Sequence, residues 1–537
     1  MAGVGEFAGR QSGWFPAAMK RLRPKVTPPE SSESASVGTP ALNALLLLII
    51  ANFALQPLTE PDFGWHLRTG LDLLVSGSQL PALDPYSHTM PDWPWVEHAW
   101  FTDLVLGWLY STGGPAGGLL VIAFFGLVTA AAWIVAAGIG PAIWPVRLFA
   151  CTLSLWVALP FLGARTQVLT LLGVAVVLVL LDRLRQGARW MIWMFPPLFL
   201  FWANLHGGFT AGLFLLVVVV GLHWCVAMGA RMWPDVVARL DEWPVSSADL
   251  RGLTLATGLA GLVTLLNPYG WRLHQEIVDS LANHFMVATL QEWQPPSLET
   301  LAGRLFGVYL GGLTVAAVLW YRRFEPVRIG VLVAFLFVAC RHLRNIPLFL
   351  IVSLPLAVEL LQIGCDRIIS ALKLRQRGSA PWALGLTGAL ACLLILLGPD
   401  HVRDVWRFGA NPDGAFRQTS YPIEAVQWIR AHRDRVGARP VHDYQYGGFL
   451  LWQLPGIKTF IDGRMPAWQI GDRWIFKDYV DLVSAPVPRT DLLDRYAVDW
   501  ALLKKGTALA GLLATRPGWS REYEDAKVVI YARALPR

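Results

Sequence analysis

Charged residues are scarce in this chain. Asp, Glu, Lys and Arg make up 15% of its 537 residues, whereas soluble domains average about 25%, and 54% of the residues are hydrophobic. This composition excludes a disordered chain, a nucleic-acid-binding domain and a soluble enzyme with an ordinary polar surface. Apolar blocks recur between residues 40 and 398, many of them near the ~20 residues that cross a hydrocarbon core. The sequence therefore predicts a polytopic α-helical membrane protein.

Cysteine is scarce as well. The five cysteines all lie in or beside apolar blocks, and no two of them form a Cys-x-x-Cys pair: they are Cys151, Cys225, Cys340, Cys365 and Cys392. This distribution excludes a disulfide framework and a cysteine metal site. Packing of small apolar side chains explains the thiols.

The distribution of Lys and Arg predicts the topology. Residues 1–39 are polar and basic, and the apolar run 42–58 lies too far from the N-terminus for a cleaved signal peptide. We expect the basic tail to stay in the cytoplasm, so that the first helix leads the chain out. Twelve apolar blocks satisfy the positive-inside rule only if one does not cross. Block 99–111 is short and contains Asp103, so we interpret it as a helix at the outer interface, which leaves about eleven crossings.

This topology divides the chain into three parts. Residues 1–39 form a disordered cytoplasmic tail, and 40–398 form the transmembrane domain with long outer loops at 59–116 and 267–302. Residues 399–537 form an extracytoplasmic domain of ordinary small-domain size. The expected location is the inner (cytoplasmic) membrane of the cell.

The C-terminal segment mixes helical and strand-like patterns. Residues 421–432 carry apolar side chains three and four positions apart, and short apolar runs elsewhere favour strands, which predicts a small α/β domain. The strand candidates are 440–444, 448–452, 458–462, 498–503 and 527–531. Asp462-Gly463-Arg464 is typical of a turn that ends a strand, with the acid and the arginine paired.

Polar residues gather at the predicted outer face, beginning directly after the first helix. Glu60, Asp62 and His66 lie at the membrane boundary, where charged groups are costly unless they have a function. Asp62 is placed to act as a general base on an acceptor hydroxyl, or to orient it, with Glu60 as the alternative base. His66 could bind a donor phosphate or a metal ion. The alternative is a loop solvated by lipid headgroups.

A second acid lies farther along the same loop. Glu97 and His98 open the predicted interfacial helix near the depth of Asp62, and they could complete a carboxylate–histidine cluster for acid–base chemistry or for a divalent cation. Their spacing matches no defined zinc motif. The alternative is structural: Asp84 or Ser87 caps a turn, and Glu97 complements a helix N-terminus.

Basic residues at the outer corners suggest an anion site. Arg341 and Arg344 flank His342, and guanidinium groups suit the phosphate that a lipid-linked donor presents in the headgroup plane. The alternative is arginines that snorkel toward anionic lipid. The remaining substrate-binding candidates are Arg165, Asn204, His206 and Glu292.

Several motifs make the chain resemble a known class. It resembles the GT-C integral membrane glycosyltransferases, and more narrowly a bacterial group described as glycosyltransferase-like membrane proteins. The resemblance rests partly on the predicted architecture: a carboxylate just after the first helix, an interfacial helix in the first outer loop and an outer C-terminal domain. The motifs are PDFGWHLRTG (61–70), DPYSHT (84–89), WVEHAW (95–100), WANLHGG (202–208), RNIPLF (344–349), YGGF (446–449) and IDGR (461–464).

The resemblance implies inverting transfer of a sugar from a polyprenyl-phosphate carrier to an extracytoplasmic glycan, lipid or protein, without a nucleotide. Asp62 then takes the place of the acid that activates the acceptor, while Arg341, Arg344 and Arg165 take the lipid-phosphate contacts. Glu60-x-Asp62 departs from the paired acids of better-studied members, so that a divalent metal ion and the identity of the base stay open. The tail lacks a Trp-Trp-Asp run, which argues against protein N-glycosylation.

Two other functions remain open at this point. Outer arginines and a folded tail would also suit a non-catalytic polysaccharide-assembly protein or a polymerase of lipid-linked units. A transporter is less favoured, because it would place polar or broken helices near the bilayer midplane.

Overall fold

The computed structural model describes residues 50, 53–241, 245–321, 323, 325–371, 419 and 421–533. The tail 1–39, most of the predicted crossing 42–58 and all of the predicted crossing 381–398 lie outside the described residues. The described helices, numbered in chain order, are α1 Phe63–Val75, α2 Trp100–Thr112, α3 Gly117–Ala137, α4 Trp144–Ala158, α5 Gln167–Arg185, α6 Phe195–Leu205, α7 Phe209–Met232, α8 Pro234–Val237, α9 Ser247–Val263, α10 Arg272–Ala282, α11 His284–Thr289, α12 Leu301–Trp320, α13 Pro326–Arg341, α14 Ile346–Ala371, α15 Ile423–Ala431, α16 Gly447–Gln453, α17 Ile475–Tyr479, α18 Asp491–Arg495 and α19 Ala508–Leu513.

Long apolar helices confirm the prediction of a multi-pass membrane protein. Within the described residues, six helical segments are long and apolar enough to cross a bilayer: Gly114–Ala137, Trp144–Phe161, Gln167–Arg185, Phe209–Met232, Leu301–Trp320 and Leu343–Ala371. Three further predicted crossings coincide with α6, α9 and α13, which have 11, 17 and 16 residues. Because α6 and α13 are shorter than the roughly 17–25 residues of a transmembrane helix and α9 only just reaches that range, the figure of eleven crossings stays a prediction.

The predicted interfacial helix is a separate short helix. With 13 residues, α2 is about 20 Å long and too short to cross a hydrocarbon core. Two glycines bring it against α1: a Cβ on Gly70 would lie 1.8 Å from the carbonyl oxygen of Asp103, and a Cβ on Gly107 would lie 2.5 Å from the carbonyl carbon of Gly70. This close approach places Asp103 beside the first turns of α1.

The C-terminal segment contains a four-stranded mixed sheet. Its strands, together with a separate two-stranded ribbon, are β1 Pro440–His442, β2 Gln469–Ile470, β3 Arg473–Trp474, β4 Trp500–Lys504, β5 Trp519–Glu524 and β6 Val528–Arg533. The sheet order is β1-β4-β6-β5, in which β1 pairs parallel with β4, and β6 pairs antiparallel with both β4 and β5. The expected small α/β fold is confirmed, with α15 in the place where a helix was predicted.

Two of the predicted strands are wrong. Residues 448–452 belong to helix α16, because a short continuous apolar run fits a buried helix as well as a buried strand. Residues 458–462 form only an isolated bridge between Thr459 and Ser87 of the first loop. The sequence analysis did not predict the edge strand β5. Many of its positions are exposed or charged, so that it lacks the alternation of apolar and polar residues that is typical of a strand.

The C-terminal segment packs directly on the first long loop (59–116) and on the apolar residues that flank it. One buried cluster contains Leu58, Phe63 and Val121 from the helical part together with Tyr446 and Trp500 from the tail. The backbones also touch, because a Cβ on Gly64 would lie 2.0 Å from the carbonyl oxygen of Gly448. The tail and the first loop therefore form one folded unit, and their joint is where the candidate site lies.

Candidate functional site

Asp62 lies at the joint between the first loop and the tail. Its carboxylate rests against the Asp462-Gly463-Arg464 turn, where a Cβ on Gly463 would lie 1.7 Å from Asp62 Oδ1. Trp65 Nε1 donates to the same oxygen at 3.4 Å. Burial raises the pKa of Asp62 to about 6; Glu60 adds to the rise, and Arg165 opposes it. A carboxyl with such a pKa is suited to accept a proton near neutral pH.

Two arginines and two glutamates form a chain beside Asp62. Arg165 Nε lies 2.6 Å from Glu60 Oε2, and Arg165 Nη1 lies 3.0 Å from Glu292 Oε2. Glu292 Oε1 in turn accepts from Arg344 Nη1 at 3.1 Å. Burial alone would raise the pKa of Glu292, but Arg344 and Arg165 outweigh it and hold the pKa below its ordinary value. The structure thus brings together four of the candidate residues.

Arg344 is held in place by the loop 267–302 and by helix α5. Its guanidinium lies over the ring of Trp293, 4.5 Å from the centroid, and its carbonyl oxygen accepts from Gln167 Nε2 at 3.0 Å. His342 Nδ1 lies 2.6 Å from the carbonyl oxygen of Trp293. Arg341 and Arg344 lie in different surroundings: Arg341 ends α13 with an exposed side chain, while Arg344 joins the chain of ion pairs. Their joint contact with a lipid phosphate stays a prediction.

Glu97 and His66 belong to a separate buried cluster. His66 Nδ1 lies 2.6 Å from Asp103 Oδ1, and one ligand atom from each of His66, Glu97 and Asp103 lies within 4.8 Å of the other two. Burial lowers the pKa of His66 to about 3 and raises the pKa of Glu97 and of Asp103. Glu97 also accepts from the backbone N–H of Ala99, the residue just before α2, at 3.1 Å. These are the described residues best placed to hold a metal ion.

The other histidines and the amide have protein partners. The rings of His98 and His206 lie edge to face at 5.5 Å, and His206 Nδ1 lies 2.8 Å from Thr170 Oγ1. Asn204 Oδ1 accepts from Trp100 Nε1 at 3.1 Å, and Asn204 Nδ2 donates to backbone carbonyls. Asn204 therefore ties α6 to α2, a structural role that the sequence interpretation did not give it.

A buried ion triad was only partly foreseen. Arg464 donates to Asp462 at 2.5 and 2.7 Å, which confirms the predicted pair, and also to Asp84 at 2.7 Å. Asp84 accepts from the backbone N–H of Ser87 at 2.8 Å, so the expected turn cap is confirmed too. Asp84 and Asp462 both lie in motifs that the sequence analysis singled out. The sequence did not predict that Arg464 joins them, because the two motifs are far apart in the chain.

Comparison of the whole structure with solved structures identifies the fold. The archaeal oligosaccharyltransferase AglB from Archaeoglobus fulgidus aligns with a TM-score of 0.52 at 12% identity, over 86% of this chain and 69% of that one. The chain has the GT-C fold. Its six described membrane-length helices and small C-terminal sheet agree with that assignment.

Two further solved structures show a looser likeness. The mycobacterial arabinofuranosyltransferase AftD aligns at 14% identity with a TM-score of 0.47, over 92% of this chain and 40% of that one. ArnT from Cupriavidus metallidurans aligns at 15% identity with a TM-score of 0.41, over 92% and 97%. No family model and no curated protein sequence matches the chain.

Proposed function

We propose that this protein is a membrane glycosyltransferase that moves a sugar from a polyprenyl-phosphate carrier to an extracytoplasmic acceptor. The AglB structure that shares its fold is a complex with a dolichol-phosphate and an inhibitory peptide. The observation that carries the proposal is the position of Asp62: this acid of the first loop lies near Arg165, which Glu292 bridges to Arg344.

Asp62 acts as the general base in this proposal. Its pKa of about 6 leaves it largely ionised at neutral pH and still basic enough to take a proton from an acceptor hydroxyl. The acceptor oxygen then attacks the anomeric carbon as the bond from that carbon to the phosphate oxygen breaks. The proton ends on Asp62, and polyprenyl phosphate leaves.

Arg165 and Arg344 stabilise the leaving phosphate. Glu292 lies between them and holds the two guanidinium groups in one place, at 3.0 and 3.1 Å. Charge-assisted hydrogen bonds of guanidinium to phosphate are short and strong, and they gain strength as negative charge develops on the leaving group. The half-buried setting of these arginines reduces screening by solvent.

The proposed topology follows from this assignment. The N-terminus lies in the cytoplasm, and the first loop and the C-terminal segment lie outside the inner membrane, where a lipid-linked donor replaces cytoplasmic nucleotide sugars. The acceptor is an envelope glycan, a lipid or a protein. Asp62 keeps the catalytic role expected of it. The catalytic role expected of Glu97 is not part of this proposal, because Glu97 lies in the buried cluster around His66.

The test compares glycans in cells that lack the gene. The deletion strain is complemented with wild type, with Asp62→Asn, or with the matched control Asp72→Asn, whose acid lies on α1 and pairs with Arg68. Mass spectrometry of lipid-linked and envelope glycans should show a sugar restored by wild type and by the control but not by Asp62→Asn at equal abundance. Restoration by Asp62→Asn would show that Asp62 is not the catalytic acid, and either a different outer carboxylate or a non-catalytic role in glycan assembly would take its place.

A further inference from the structure

Three side chains with metal-ligand chemistry converge in the interior beneath Asp62. His66 lies on α1, Asp103 lies on α2 and Glu97 lies just before α2; they are 4%, 0% and 2% exposed. One ligand atom from each lies within 4.8 Å of the other two. The glycine contacts between α1 and α2 make this arrangement a property of two packed helices rather than of a mobile loop.

Among the described residues, no arginine or lysine forms an ion pair with Asp103 or Glu97; Arg464 attracts Glu97 only from beyond ion-pair distance. The ion-pair partners of Asp103 and Glu97 among the described residues are histidines: His66 at 2.6 Å and His98 at 3.7 Å. Elsewhere in the first loop a buried acid has an arginine, as Asp84 has Arg464. Because burial of an unpaired carboxylate is costly, two such groups side by side must be neutralised, either by protons or by a cation between them.

An unsatisfied oxygen points to the same conclusion. Asp103 Oδ1 is used by His66, but the second oxygen, Oδ2, is buried and has no hydrogen-bond partner. Buried polar atoms in folded proteins nearly always have a partner. A carboxylate oxygen left free next to another carboxylate and an imidazole has the chemistry of a metal ligand.

We propose that His66, Glu97 and Asp103 bind one divalent transition-metal ion of the Zn²⁺ type. One imidazole nitrogen and two carboxylate oxygens form a donor set that Zn²⁺ accepts, and the ion neutralises both acids. Bound there, it cross-links α1 to the interfacial helix and stiffens the turn of α1 that follows Asp62. The metal site rests on these contacts alone and does not depend on the proposed transfer reaction.

The experiment measures metal directly in the purified full-length protein. Wild type in detergent is stripped with a chelator, reloaded with zinc chloride, passed over a desalting column and analysed by elemental mass spectrometry. We expect about one zinc per chain and a higher melting temperature after reloading. Asp103→Asn keeps the shape of the side chain but removes its charge, and it should weaken zinc binding by more than about 100-fold, since loss of a mere supporting partner of a ligand costs about 10–100-fold.

Matched controls separate this site from surface binding. His284→Gln and Asp279→Asn remove an exposed histidine and an exposed acid, and both should keep one zinc per chain. If reloaded wild type holds no zinc and its melting temperature does not change, the carboxyls are neutralised by protons and the proposal is wrong. Equal zinc loss in the exposed controls would also overturn it. The absence of zinc from reloaded wild type is enough to refute the proposal. The test therefore does not depend on whether the Asp103→Asn variant folds.

Discussion

Alanine at position 463 is the sharpest perturbation of the candidate site. Gly463 belongs to the C-terminal segment, yet a Cβ built on it would lie 1.7 Å from Asp62 Oδ1. Its φ is outside the left-handed region, so an alanine meets no backbone strain of its own. Gly463→Ala therefore acts on the carboxylate of Asp62 while it leaves both residues' chemistry intact.

The size of the effect follows from that distance. Real Cβ contacts are essentially never shorter than 3.0 Å, so Asp62 or the turn must move by at least 1.3 Å from the 1.7 Å separation. A misplacement of about 1 Å in a reacting group can cost about 100-fold in rate. We therefore expect transfer to fall by roughly 100-fold, which corresponds to about 2.7 kcal/mol in the activation free energy.

The assay compares initial transfer rates in membranes that contain equal amounts of folded protein, judged by size exclusion in detergent. Gly511→Ala is the matched control, because a Cβ on this helical glycine meets nothing within 4 Å. The control should keep the wild-type rate. If Gly463→Ala kept its rate within about twofold while folding normally, Asp62 would not be the positioned base, and the reasoning from the 1.7 Å contact would be refuted.

Three further predictions concern pH, donor binding and stability. The pKa of Asp62, raised to about 6 chiefly by burial, predicts that transfer falls as the pH drops through that value, because the base must be ionised; a flat pH–rate profile would contradict this. Arg344→Ala should raise the KM for the donor by about 10–100-fold, from a charged hydrogen bond worth about 1.5–3 kcal/mol, and by more than Arg341→Ala; equal effects in a donor titration would disprove the separation of the two arginines. Arg464→Met leaves two buried acids unpaired and should cost about 3–5 kcal/mol, read as a lower melting temperature in detergent; an unchanged value would show that the triad is not stabilising.

Local sequence patterns were enough to predict much of this fold. The apolar blocks, the short helix α2 and the mixture of helices and strands in the tail follow from composition and periodicity, which are local properties. The position of Asp62 directly after the first apolar run was likewise readable from the chain. The Asp462–Arg464 pair was foreseen because its members are two residues apart.

Long-range packing was not readable in the same way. In the sequence, Asp103 only made the block 99–111 a poor candidate for a membrane crossing. The structure shows that the close contact of Gly70 with Gly107 brings Asp103 to its partner His66. Glu292 bridges Arg165 and Arg344, which lie on two other segments of the chain. The spacing of these three residues in the sequence does not indicate that they meet. Such pairs are products of tertiary structure, so no pattern within one segment could predict them.

The environment of the proposed base is built by two distant parts of the chain. Burial is the main reason that the pKa of Asp62 is raised, and the turn at Gly463 supplies part of the wall that excludes water. That turn is anchored by Arg464, which reaches back to Asp84 in the same loop as Asp62. Because Gly463 contacts the Asp62 carboxylate directly, docking of the tail contributes to the burial that raises the pKa of Asp62. The C-terminal segment is therefore part of the candidate site, and the glycines at its contact surface are there because any side chain would occupy the space of the carboxylate or of the backbone beneath it.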